Sequence, residues 1–337
     1  MKYSGIDLHS TNSVVVVSDE TDRIVCKRRV PNELGAVLAT LAPYREEFAG
    51  VVVESTYNWY WLVDGLQAAG YRVHLANTAA IKQYDGLKHS GDESDAAHLA
   101  QLLRLGILPT GYICPPQERA LRDLSRKRLQ LGRSRTSHIL AVENIVARQT
   151  GARMTGREVK QLTVEVLREW DQPEDVRLAM GANVAVIRTL NAQIDKIEAR
   201  LRERVKPCAE FQLLTSTPGI GEVLATTIML ETGTIERFAA VGNFASYARC
   251  VDSKRLSNGK KKGEGNVRNG NRYLAWAFVE AANFARRYCP EAKRFYERKK
   301  ARTNNIVATK ALAHKLARAC YHMLREAKPF DVKRCFA

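Results

Sequence analysis

The chain has 337 residues, 45% of them hydrophobic, which is enough for packed cores in two or three domains and argues against disorder. A formal charge of +17 favours a polyanionic partner, most simply a nucleic acid, bound with release of condensed counterions. The seven cysteines (Cys26, Cys114, Cys208, Cys250, Cys289, Cys320, Cys335) form no Cys-x-x-Cys pair, no signal peptide is read, and no apolar run reaches the ~18 residues of a membrane helix, so a disulfide scaffold or membrane protein is excluded and a soluble cytoplasmic protein is expected.

The charge is unevenly spread. Residues 1–105 carry 10 Lys/Arg against 13 Asp/Glu, residues 106–210 carry 19 against 13, and residues 211–337 carry 24 against 10. An acidic N-terminal module and a strongly basic C-terminal one fit a metal-binding centre at one end and a nucleic-acid grip at the other.

In chain order, residues 2–7 (Lys-Tyr-Ser-Gly-Ile-Asp), 13–18 and 23–29 are short, β-branched and separated by turn residues, which predicts an antiparallel meander. Helical spacing at 33–47 precedes the apolar strand Gly50-Val-Val-Val-Glu54, a helix around 58–69, a strand at 72–76 and an amphipathic helix opened by Asp92. The order β-β-β-α-β-α-β-α is that of the ribonuclease H-like fold, giving an α/β domain over 1–108.

Strands of that topology deliver Asp7 and Glu54 to one rim, and Asp92 and Asp95, three apart, share a helix face. Polar side chains at the ends of such apolar strands are costly to keep for stability alone. Four clustered carboxylates suit two Mg²⁺ or Mn²⁺ ions ~4 Å apart for phosphoryl transfer, and no His/Cys set competes for Zn²⁺. Each acid has a structural alternative: Asp92 as a helix N-cap with Asp95 completing a capping-box-like pattern, Asp7 as a turn residue, Glu54 in a buried ion pair. Glu93, His9 and His98 are read as structural.

Residues 109–208 predict a helical linker: one helix from Pro115 to about Thr150, another over about 173–206, forming an antiparallel pair or coiled coil that either joins two protomers or packs within one chain. Arg126, Arg128 and Arg133 on the first helix form a phosphate-tracking stripe or a solvated face. Residues 209–337 make a mainly α domain. Its Pro218-Gly219-Ile220-Gly221 turn resembles a helix-hairpin-helix element, with the Gly219 and Gly221 amides suited to a backbone phosphate; the alternative is a plain inter-helix turn. An irregular, basic loop follows over Arg249–Arg272, carrying Lys254, Arg255, Lys260, Lys261, Lys262, Arg268 and Arg272 against nucleic acid; helices from Tyr273 to about Ala327 close the domain.

Gly5-Ile6-Asp7, Val52-Val53-Glu54, Asp92-x-x-Asp95-Ala96, Pro218-Gly-Ile-Gly221 and Ser257-Asn-Gly259…Gly270-Asn-Arg272-Tyr-Leu274 together resemble the insertion-sequence 110 family of DEDD transposases, in its insertion-sequence 1111 subgroup, over almost the whole chain. The resemblance implies a RuvC-like nuclease domain, a coiled-coil linker and a C-terminal transposase domain. It further implies a recombinase directed by an element-encoded, bridge-type non-coding RNA that pairs with target and donor DNA, assembled as a dimer or tetramer in a bacterial cytoplasm near the nucleoid. By position, Asp7, Glu54, Asp92 and Asp95 become the metal-binding set and Ser257 the nucleophile, with Ser253 the other register. Surrounding cations would favour alkoxide character at Ser257. The competing readings are a water-using, junction-resolvase-like nuclease and a non-enzymatic nucleic-acid-binding protein.

Overall fold

The computed structural model describes residues 1–81, 91–251, 254–264 and 269–337. Ser253 and Arg268, and the side chains of Lys254, Arg255 and Lys261, lie outside the described set. The chain divides into two compact units, one made of Met1–Pro116 with Ser253–Asn269, the other of Gln117–Asp252 with Gly270–Ala337.

In the first unit the elements run β1 (Lys2–Leu8), β2 (Asn12–Asp19), β3 (Ile24–Pro31), α1 (Leu34–Leu41), β4 (Phe48–Glu54), α2 (Tyr60–Ala68), β5 (Val73–Ala76) and α3 (Asp92–Arg104). They build a five-stranded sheet of order β3-β2-β1-β4-β5, with β1–β2–β3 antiparallel and β1–β4–β5 parallel. This is the element order expected from the sequence, in an N-terminal mixed α/β domain. Helix 33–47 is shorter than its spacing predicts, because the chain tightens to a 3₁₀ turn at Ala42–Glu47, where Pro43 removes a backbone donor.

Side chains alternate across a strand, so the two faces of the sheet bury different partners. Ile6, Leu8, Val15, Val17, Val51 and Val53 pack with Val37 and Leu41 of α1 and Leu62, Val63 and Leu66 of α2. Val14 and Val16 meet Ala96 of α3 on the opposite face, and Val52 meets Leu99. Gly5 lies under α3: a Cβ there would stand 1.9 Å from the Ala96 carbonyl oxygen, so the helix rests on bare strand backbone. By alternation Asp7 and Glu54 belong to this α3 face, and the parallel register Ile6↔Val53 sets them at the next step of neighbouring strands.

In the second unit α4 (Pro116–Thr150), α5 (Gly156–Gln161), α6 (Val164–Arg168) and α7 (Glu174–Val205) precede α8 (Ala209–Thr215), α9 (Glu222–Thr232) and α10 (Val241–Tyr247). The two long helices run antiparallel, Arg128 meeting Glu198 and Arg135 meeting Asn191. Ile139, Val142 and Val146 bury against Met180, Val184 and Ile187, with Val159 and Leu167 filling in from α5 and α6. Much of the apolar surface of the two helices is therefore intramolecular core, while Leu140 of α4 and Val186 of α7 stay exposed.

After α10 the chain forms strands β6 (Lys254–Ser257) and β7 (Lys260–Glu264), then α11 (Arg272–Tyr288), α12 (Pro290–Arg302), α13 (Asn305–Glu326) and α14 (Val332–Phe336). The basic loop is not irregular throughout. Asn258 (φ 50°) and Gly259 (φ 72°) are both left-handed, the pairing that closes a two-residue hairpin with the twist of its strands, and β6 and β7 pair antiparallel. The helical core gathers Leu214, Ile228, Phe244, Phe278 and Leu316. Among the described residues no helix is long and apolar enough to cross a membrane.

Gly5→Ala is expected to push α3 off the sheet and cost at least about 3 kcal/mol. Scanning calorimetry checks this: the N-terminal unit should melt earlier, while Gly221→Ala, whose Cβ would enter open space, should leave melting unchanged.

Candidate metal centre and serine hairpin

The C-terminal ends of the interior strands β1 and β4, with the first turn of α3, bring the four predicted acids together. Asp7, at 5% exposure, is buried at the end of β1 and hydrogen-bonded to Glu54; Asp95 senses the charges of Asp7 and Asp92. Asp92 is not an N-cap. That position belongs to Gly91, with no side-chain cap, and the Asp92 carboxylate turns instead to Arg29 Nη2, which donates to Oδ2 at 2.6 Å.

The residue that sequence reasoning misplaced is His9. Its Nε2 lies 3.2 Å from Asp7 Oδ2 and 3.3 Å from Asp92 Oδ2, and these three side chains are the one ligand-spaced cluster among the described residues. The position is enforced from behind: the His9 carbonyl accepts from Asn32 Nδ2 at 2.9 Å and from Asn58 Nδ2 at 3.0 Å, and Ser13 Oγ donates to Asn32 Oδ1 at 2.7 Å. The signal was in the sequence as Asp7-x-His9, a two-residue step along a strand end.

The electrostatics follow from crowding like charges in a half-buried place. Burial, the hydrogen bond with Asp7 and the charges of Asp7 and Asp95 push the Glu54 carboxyl up to about 8. Burial and the charges of Asp7 and Asp92 also raise Asp95, while the Arg29 hydrogen bond lowers Asp92. Without a cation, the Glu54 carboxyl therefore keeps its proton well above the usual carboxylate range. His9 Nε2 is buried and makes no hydrogen bond of acceptable geometry, although two carboxylate oxygens face it. Mutually repelling carboxylates and an unsatisfied ring nitrogen aimed at one point fit a divalent cation. The oxygen-rich donor set suits a hard ion.

Ser257 ends β6 beside the Asn258–Gly259 turn and is exposed, as are Lys260 and Lys262; in the hairpin register Ser257 faces Lys260. The hairpin segment belongs to the same compact unit as the acids.

The other predicted contacts divide. Arg126 donates to Glu231 through Nε at 2.6 Å and Nη2 at 2.7 Å, and Arg128 Nε donates to Glu198 at 2.7 Å, so both guanidiniums are engaged within the chain. Arg133 and Arg272 are exposed. Gly219, with φ +89°, serves packing: a Cβ would stand 2.5 Å from the Ala281 carbonyl, so the glycine lets the turn lie on α11. Gly221 is exposed at the N-terminus of α9.

A strand-end acid cluster of this kind, followed by a helical domain, is the arrangement of a DEDD-type transposase. A transposase model of the IS110 DEDD type matches residues 4–148, and the model described as "Transposase IS116/IS110/IS902 family" matches residues 211–297. The chain belongs to this family of transposases. It is 24% identical over 336 residues, 95% of the chain and 96% of the relative, to a "Probable family 20 transposase" of Pseudomonas aeruginosa. It is also 26% identical over 136 residues, 40% of the chain and 34% of the relative, to an "Insertion element IS110 uncharacterized 43.6 kDa protein" of Streptomyces coelicolor. The family implies DNA as a partner and a divalent metal at the DEDD set.

The raised Glu54 sets a pH dependence. The folded carboxyl keeps its proton to about pH 8, against an ordinary value of 4.5, so the folded state binds more protons in that window. Its stabilising contribution is full below about 4.5 and is lost as pH rises through about 8. Melting in chelator should therefore fall across this range, and Glu54→Gln should flatten the slope; a slope unchanged by that substitution removes Glu54 as its source.

Proposed function

We propose that this transposase cuts and rejoins DNA through a phosphoserine intermediate at Ser257, with Asp7, Glu54, Asp92 and Asp95 holding Mg²⁺ or Mn²⁺. The observation that carries the reading is an exposed serine at a cationic hairpin turn, in the same compact unit as the acid cluster. Loss of the Ser257 proton leaves Oγ to attack phosphorus. An Oγ–P bond forms as the P–O bond to the departing sugar breaks, and the departing oxygen takes up a proton. A DNA hydroxyl then attacks the same phosphorus, gives up its proton and releases the serine, so the phosphodiester is conserved without an energy-rich cofactor. Lys260 and Lys262 stabilise charge on the phosphoryl oxygens.

The bound cation supplies Lewis-acid stabilisation of the same charge. In the chain's own machinery, Arg29 keeps Asp92 ionised, and the paired Asn32 and Asn58 amides hold His9 beside Asp7, where its ring nitrogen either joins the ligand set or orients a carboxylate. The basic residues Lys254, Arg255, Lys260, Lys261, Lys262, Arg268 and Arg272 contact nucleic acid. Guidance by an element-encoded RNA, the insertion-sequence 1111 subgroup and a dimeric or tetrameric assembly rest on the sequence resemblance and on the surplus positive charge.

The acid cluster by itself also supports hydrolysis by water, as in a structure-specific nuclease. Trapping separates the two. Wild type should form a covalent protein–DNA adduct, Ser257→Ala should lose it by at least about 10³-fold, and Asp7→Asn should lose it as well. Cleavage that persists in Ser257→Ala without an adduct assigns the protein to the hydrolytic class.

A further inference from the structure

α4 and the first turn of α11, both in the second unit, enclose an open groove of about 430 Å³. It differs from a solvated basic face in the buried polar network that lies behind Arg126 and Tyr273, two of its lining residues. Glu231, at 4% exposure, receives both nitrogens of Arg126 and also Asn271 Nδ2 at 2.7 Å. Asn271 Oδ1 in turn accepts from the backbone amides of Tyr273 at 2.8 Å and Leu274 at 3.1 Å, capping α11. The Arg126 guanidinium lies 4.7 Å from the Tyr273 ring centroid. Burial works against the Arg126 charge, but the Glu231 carboxylate more than offsets it and holds the group firmly protonated. Arg126 is thus a strut: its charge is compensated inside the protein, and it fixes the Tyr273 ring and the start of α11.

The rim is different. Lys127, Arg133 and Arg272 line the same groove, all three exposed, and none has a carboxylate partner among the described residues. Lys127 reaches only Gln130, at 3.1 Å, and Arg272 lies on Tyr273, its Nη2 donating to the phenol oxygen at 3.1 Å. On the same helix, Arg126 and Arg128 each meet a carboxylate. The carboxylate of Asp123 also lines the groove but lies 3.6 Å from Arg126, so the three rim cations leave a net positive groove beside the Tyr273 ring that favours an anion with several charges. Cations beside an aromatic ring are the composition that holds a nucleic-acid strand by its backbone.

We propose that this groove is a sugar-phosphate subsite for the DNA, with Lys127, Arg133 and Arg272 contacting phosphate oxygens and the Arg126–Glu231–Asn271 network keeping Tyr273 and Arg272 in place. It rests on the family's DNA partnership and is independent of which residue is the nucleophile. Its contacts carry no base information, so it contributes affinity and register without sequence preference.

The test is the salt dependence of binding to a fluorescein-labelled random-sequence DNA duplex, read by anisotropy for the full-length protein. Each phosphate contact contributes about 0.9 to the slope of log K against log salt, so Lys127→Gln/Arg133→Gln/Arg272→Gln should lower the slope by up to about 2.7. Between about 50 and 200 mM salt, wild type should then lose about fortyfold more affinity than the variant does. A charge-matched variant on α5 and α6, Arg157→Gln/Lys160→Gln/Arg168→Gln, should keep the wild-type slope, as should Ser257→Ala. The serine assignment can therefore fail in the adduct assay with this result intact, and the reverse. If the triple variant does not fold, Arg133→Gln alone should lower the slope by about 0.9. An unchanged slope overturns the proposal. So does an equal fall in the charge-matched control, or a fall seen with RNA of the same sequence and not with DNA.

Discussion

Carboxylates gathered at the ends of two interior strands repel each other, and the N-terminal unit is built to hold them there regardless. Parallel pairing of β1 with β4 puts Asp7 and Glu54 on adjacent strand ends, and the contact of α3 with Gly5 lowers Asp92 and Asp95 onto the same face. Without a cation the repulsion is relieved by a retained proton, which the raised Glu54 carboxyl records. Arg29 compensates Asp92 from the outer side, and the His9 ring nitrogen lies between Asp92 and Asp7. A polar cluster this costly is a functional expense in the sense that buried like charges are rarely kept for stability alone.

The second unit meets a buried charge in a different way. Glu231 is fully desolvated, but a bidentate guanidinium and an amide use its oxygens completely, and the three groups join α4, α9 and the start of α11. Satisfied pairs of this kind add little net stability over apolar packing, while loss of one partner is severe. Their value lies in geometry. Tyr273 and Leu274 receive their cap from the same asparagine that closes the network, so the helix start and the ion pair form together.

Much of this was legible from the sequence. The N-terminal element order, the four acids and the two long helices follow from apolar runs, turn residues and helical spacing, which local chemistry largely dictates. Three things were not. The hairpin around Asn258–Gly259 was hidden by the lysines of its strands, although the Asn-Gly pair itself is a strong turn signal. His9 looked incidental because its role depends on Asn32 and Asn58, brought to its carbonyl by the fold from distant parts of the chain. Arg126 looked like part of a phosphate stripe because its acidic partner, Glu231, is more than a hundred residues away on a helix whose apolar neighbours give no hint of a buried ion pair. For His9 and Arg126 composition was read correctly and a long-range partner decided the role.

The missing side chain at Gly5 has one more consequence. Helix and strand meet there through main-chain atoms, with no flexible side chain between them, so the distance from the α3 acids to the strand acids is a matter of backbone contact. Soft spacers let a site swell or shrink to suit ions of different radius; a bare-backbone spacer does not. The separation of the helix acids from the strand acids is therefore set by how closely a helix can lie on a sheet, a length that no side-chain repacking adjusts.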